Sequence, residues 1–155
     1  MLSAASVAFV SSCKNKCGTT TCQNGGACTD NKCVCPTGFS GNSCETAADA
    51  KTIGTYNCRR DNCSPSVAGT NTWRSSVTAI ANNAFQVNIS NFDNSNTTVT
   101  ATVDTASNIV ITPATGTYGI AATGKYANDT ITLQFTTSSA AGVGYRCTMT
   151  MIKEK

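Results

Sequence analysis

The chain contains no histidine. That excludes Ser-His-Asp and Cys-His catalytic devices and removes the commonest zinc ligand. Acidic residues are also scarce, eight in 155 residues. Asp93, Asp104 and Asp129 fall in predicted turns, where solvated capping is expected rather than an acid and a base held about 5–9 Å apart. Charged residues make up only 12% of the chain and the net charge is +3, dispersed except at Arg59-Arg60. That doublet reads as a solvated loop, with an anion or partner contact as its alternative. A basic stripe interleaved with stacking aromatics is missing, which excludes a nucleic-acid partner. No Gly-rich loop follows a strand and opens a helix, so no phosphate cradle is expected. The reading is of a protein that is not an enzyme and takes no cofactor.

What the chain has in quantity is cysteine, ten residues, six of them between Cys17 and Cys44. Among them the apolar residues are few, chiefly Ala27, Val34 and Phe39. Burial cannot hold such a segment; cross-links must, and they form in an oxidising compartment. Spacing alone selects no pairing. Gaps of four, five, four, one and eight residues, the Gly25-Gly26 turn, and Cys35-Pro36-x-Gly38-Phe39-x-Gly41-x-x-Cys44-Glu45 resemble the epidermal-growth-factor-like (EGF-like) module over residues 17–45. The resemblance implies bridges Cys17–Cys28, Cys22–Cys33 and Cys35–Cys44, each typically worth about 2–4 kcal/mol. Gly38 and Gly41 are expected in tight turns that tolerate no Cβ. Many such modules bind calcium through oxygen ligands just before the first cysteine. Here that position is Lys14-Asn15-Lys16, whose two lysines oppose a divalent cation, so calcium is not expected. Asp30 and Asn31 read as a polar hairpin turn between Cys28 and Cys33.

Residues 1–12 are small and apolar, without charge, and end in Val10-Ser11-Ser12-Cys13. A bilayer span needs about 20 residues, so this reads as a targeting segment outside the fold. The pattern resembles a bacterial lipobox, which implies that a lipoprotein signal peptidase cuts before Cys13, leaving it as the lipidated N-terminus. Lys or Arg is expected at the head of such a segment and none precedes Cys13. Two readings therefore stand: a true start lying upstream, or an apolar N-terminus with Cys13 in an ordinary disulfide. Lys14 and Lys16 suit a tether (residues 13–16) beside anionic headgroups.

After Cys44 the composition shifts to Thr, Ser, Asn and Ala, and residues 46–51 read as a linker to a domain over 52–155. Alternation dominates it: Phe85, Val87 and Ile89 share one face, as do Val99, Ala101 and Val103, then Ile131, Leu133 and Phe135, then Cys147, Met149 and Met151. Asn82-Asn83 and Asn128-Asp129 read as two-residue turns; Asp93–Asn96, Pro113–Gly116 and Ser138–Gly142 read as longer ones. Eight strands are expected, near 52–58, 71–80, 84–91, 97–104, 108–112, 118–127, 129–137 and 143–152. The fold class is therefore mainly β, a small disulfide-rich module followed by an antiparallel up-and-down eight-stranded barrel, with a β-sandwich as the alternative.

Ile53-Gly54-Thr55-Tyr56 resembles the Gly-x-aromatic opening of lipocalin-like domains, which implies an aromatic closing the barrel's base and pairing with Arg146 or Tyr145. Taken with the EGF-like segment and the lipobox, the order resembles small lipoproteins of the Bacteroidetes. There a cysteine soon after the first strand pairs with one near the C-terminus, implying Cys63–Cys147; face parity instead favours Cys58, which shares a side with Tyr56. Asp104-Thr105-Ala106 and Asp129-Thr130-Ile131 resemble the Asp-Thr/Ser-apolar acceptor of Bacteroidetes O-glycosylation, making Thr105 and Thr130 candidate modification sites. Trp73 offers a flat face for a sugar, but alternation groups it with Val77 and Ala79 in the core. The resulting expectation is a lipid-anchored protein of the cell envelope, an outer-membrane lipoprotein whose surface or periplasmic orientation stays open. Its function is expected to be a non-catalytic protein or glycan interaction and adhesion module. The alternative is a lipocalin-like carrier, with room for a small apolar ligand inside the barrel beside Ala101, Ala122 and Gly124.

Overall fold

A chain whose apolar residues recur at every second position satisfies both its side chains and its backbone by pairing strands. The computed structural model describes residues 21–69, 71–81, 83–113, 118–139 and 144–155. The expected signal segment and tether, the lipidation site Cys13 and the half-cystine Cys17 lie outside the described residues. Two hairpin-like pairs come first. β1 (Ala27–Thr29) pairs with β2 (Lys32–Val34) across Asp30 and Asn31, whose φ of 49° and 61° suit short polar side chains. β3 (Phe39–Ser40) then pairs with β4 (Thr46–Ala47).

Elements of two or three residues cannot hold themselves together. Bridges Cys22–Cys33 and Cys35–Cys44 do so, with Cα separations of 5.6 and 5.3 Å. Cys28 is also disulfide-bonded. Gly38 and Gly41 take φ of 89° and 101°, a region where a side chain strains the backbone.

The remaining strands are β5 (Gly54–Ser64), β6 (Thr72–Ile80), β7 (Asn83–Phe92), β8 (Thr97–Val103), β9 (Asn108–Ile111), β10 (Tyr118–Ala127), β11 (Thr130–Ser139) and β12 (Arg146–Lys153). Each pairs antiparallel with its sequence neighbour, and β12 pairs with β5, closing the sheet into an up-and-down barrel. Closure removes the exposed edges that a sandwich would keep. The expected strands and these eight coincide segment by segment; β5 differs most, running on to Ser64.

That extension decides the long-range disulfide. On β12 only Cys147 lies between Arg146 and Thr148, while on β5 both Asn62 and Cys63 lie between their partners Ser64 and Asp61. Asn62, at φ 53°, is the extra residue of a β-bulge. The bulge reverses the side-chain parity, so Cys63 meets Cys147 with a Cα separation of 4.2 Å. Cys58 does face inward, as parity requires, but it stands opposite Met151, about 13 Å along the strand from Cys147. It is buried and free. Tyr56 corrects a second expectation. It stands opposite Lys153, at the far end of β12 from Arg146 and Tyr145, and its hydroxyl donates to Thr52 O at 2.6 Å.

The barrel is filled by its own side chains. Tyr56, Ile89, Phe92, Ile109, Ile131, Leu133, Phe135, Met149 and Met151 are all less than 2% exposed. Phe92 meets Phe135 edge to face at 5.2 Å, and Phe135 meets Tyr145 at 6.1 Å. Gly124 leaves no vacancy: a Cβ there would lie 1.9 Å from Thr132 O and 2.8 Å from Leu133 Cδ2. The missing side chain lets β11 approach rather than making room for a ligand. Ala101 and Ala122 are likewise packed within this core.

Residues 46–51 form β4 and a turn packed on the barrel. Ala48 and Asp49 are buried, as is the following Thr52. Ala48 N donates to Gly38 O at 2.8 Å, and Asp49 N to Ala84 O on β7 at 3.2 Å. Gly38 also lies where a Cβ would meet Phe85 Cδ1 at 2.8 Å. The N-terminal disulfide region is thus seated against the start of β7.

Candidate binding surfaces

At the end of the barrel that carries the Cys63–Cys147 bridge, alternation along β5 turns Arg60 inward behind Tyr56 and Cys58. Its side chain is 6% exposed and donates through Nη1 to Asp93 Oδ1 at 2.6 Å; the Asp93 side chain is 3% exposed. Tyr145 donates its hydroxyl to the other oxygen of the same carboxylate. The guanidinium carbon lies 5.9 Å from the Trp73 ring centroid and 6.0 Å from that of Tyr145, within cation–π range. Trp73 Nε1 donates to Ser75 Oγ at 3.0 Å, so the indole's one donor is satisfied inside the protein. Trp73 is 8% exposed, as its core assignment requires.

This cluster corrects two expectations. Arg60 is on a strand and buried, not in a solvated loop, and Asp93 is buried and ion-paired, not a solvated cap. Its turn places it there: Asp93 has φ 52° and directly follows the buried Phe92. The pair seals the barrel end. Arg60 Nε is buried with no acceptor, which marks the cluster as structural polarity held at some cost.

The other carboxylates are engaged separately. Asp104 accepts from Asn108 N at 2.8 Å and from Asn108 Nδ2 at 2.7 Å; these bonds, the side-chain one first, hold its pKa below the usual carboxylate value. Asp129 accepts from the Tyr126 hydroxyl at 2.8 Å. Neither shares a site with a second acid. Among the described residues, no group of three or more His, Cys, Asp or Glu is placed to hold a metal. Burial pushes the Cys58 thiol up, away from the reactive thiolate. Thr105 is exposed in the turn after β8. Thr130 is half-buried as the first residue of β11, pairing with Ala127 and Ile152.

Concavities lie on the outside of the barrel. A cleft of about 350 Å³ runs between the disulfide region and the barrel, walled by Pro36, Phe39, Phe85 and Thr105. A groove of about 390 Å³ crosses β9 to β12 beside Val110, Thr123 and Gln134. A third, of about 490 Å³, crosses β12, β5 and β6. Its walls follow from the ladder: Asn57 pairs with Arg74 on one side and Ile152 on the other, and Arg59 pairs with Thr72 and Thr150. All six point outward because Tyr56, Cys58 and Arg60 point in. Arg59 and Arg74 are 64% and 69% exposed. Arg59 Nε meets Asp61 Oδ2 at 2.8 Å, and Arg74 Nη2 pairs with Glu154. No protein-family model matches this chain.

Proposed function

We propose that this chain is a lipid-anchored cell-envelope protein that acts as a non-catalytic protein or glycan interaction module. In this reading the N-terminal disulfide region is an EGF-like module near the membrane, lipid on Cys13 supplies the anchor, and the lipocalin-like barrel is the part displayed. The observation that carries it is the filled barrel: Phe92, Leu133, Phe135, Met149 and Met151 occupy the space that a carrier would keep for its ligand. A binding partner therefore meets the outer surface. The scattered carboxylates, each bonded within its own turn or pair, support a role without chemistry on the partner. The cysteine spacing and the Ser11-Ser12-Cys13 pattern support export.

Intact mass of the protein taken from its native envelope tests the anchor, with a diacyl or triacyl adduct on Cys13 expected. An unmodified Cys13 would remove it. Denaturing extraction of the same material tests the binding mode: an apolar molecule released in stoichiometric amount would replace this reading with the carrier.

A further inference from the structure

The geometry points to the groove across β12, β5 and β6 as a binding site for an acidic saccharide, one whose sugar carries a carboxylate or phosphate. The inference rests on the interaction-module reading and names its site and ligand class. Arg59 and Arg74 sit on adjacent strands, two residue pairs apart along the ladder, on the same outer face. Two guanidinium groups on one face of a sheet can grip a single carboxylate or phosphate together. Each is paired with a carboxylate of its own, Asp61 and Glu154, in solvent-exposed ion pairs that contribute little and leave the guanidinium able to take a second anion.

The fork geometry of arginine supplies the rest. Asp61 holds Arg59 through Nε, and Glu154 holds Arg74 through a single terminal nitrogen. A guanidinium carries five N–H donors in one plane, so each side chain is oriented by its carboxylate and keeps donors for a second acceptor. Asn57 stands opposite Arg74 and beside Arg59 on the same face, and Thr72 and Thr150 flank Arg59 on either side. Ile152, 56% exposed, provides an apolar strip. Hydrogen-bonding groups beside one apolar strip fit a sugar ring, which has both hydroxyls and a CH face. The two guanidinium groups fit its acid.

Trp73 stands between Thr72 and Arg74 but turns its ring into the barrel, away from the groove, so binding is read by isothermal titration calorimetry. The full-length protein is titrated with a galacturonate tetramer, glucose 6-phosphate, a neutral maltotetraose and a glutamate tetramer. We expect the two acidic sugars to give saturable heats of binding and to compete with each other, the relative affinity telling carboxylate from phosphate, while the neutral sugar does neither. R59Q and R74Q should each weaken binding about tenfold, and R74K, which keeps the charge but loses the fork, by several-fold. Raising salt to about 0.5 M should weaken it as well. Both arginines are exposed, so melting temperatures should stay within a few degrees of the parent.

Equal affinity for maltotetraose, tighter binding of the glutamate tetramer, affinity unchanged in the R59Q/R74Q double variant, or no binding of either acidic sugar would each overturn the inference. The broader reading would survive any of these, because it fails on a different result, an apolar molecule extracted from inside the barrel.

Discussion

In the N-terminal region, paired elements of two or three residues are held by bridges between cysteines 11 and 9 residues apart. In the barrel, strands of up to 11 residues are held by a packed interior, and the Cys63–Cys147 bridge joins cysteines 84 apart. Sulfur substitutes for burial in the first region and reinforces burial in the second. The chain-entropy account makes the long link the stronger, because a cross-link removes more freedom from an unfolded chain when the loop it closes is larger.

The comparison can be tested by removing each support in turn. Replacing both Cys63 and Cys147 by serine should cost the barrel about 4–5 kcal/mol, read as a lower midpoint in urea; a loss no greater than that from a local bridge would refute the loop-length argument. Asp93→Ala leaves Arg60 buried without its carboxylate, and about 3–5 kcal/mol should be lost in the same assay. An Arg60→Leu/Asp93→Leu pair should recover most of it, since no charge is then buried alone. Replacing Cys35 and Cys44 by serine should cost about 2–3 kcal/mol, confined to the N-terminal region. Limited proteolysis should then cut within residues 21–47 while the barrel resists, and simultaneous loss of both would show that the two regions fold as one unit.

The smallest effect sits at the junction between them. Burial raises the Asp49 carboxyl above its usual value, so the folded protein holds that proton more tightly than the unfolded chain does. The Asp49 contribution to stability is therefore greatest in acid and falls as pH rises through the window between the ordinary aspartate value, about 4, and the raised one. Asp49→Asn keeps the backbone bonds to Ala84 and Thr52 and should flatten this part of the profile. A wild-type curve that rises over the same window relative to the variant would refute the assignment.

The eight barrel strands were legible because side-chain alternation is a local property, visible in segments such as Val99 to Val103 without knowledge of their neighbours. The turn at Asp30-Asn31 was legible for a similar reason, since short polar side chains tolerate positive φ. Arg60 and Asp93 were not. Singly, each reads as a surface charge, and only closure of the sheet sets β5 and the turn after β7 within one salt bridge. The groove residues Arg59 and Arg74 are equally separate in sequence, 15 positions apart, and become neighbours only through the β5–β6 register.

Composition and period were enough to establish a cross-linked region without a core, followed by strands with one apolar face, because sulfur density and two-residue alternation are written along the chain itself. Which cysteine meets Cys147, whether Gly124 opens a cavity, and where Arg60 goes were settled by the closed barrel. Each depends on a partner strand: a single extra residue at Asn62 reverses the facing of all that follows, and a glycine is vacant or filled according to what its neighbour brings.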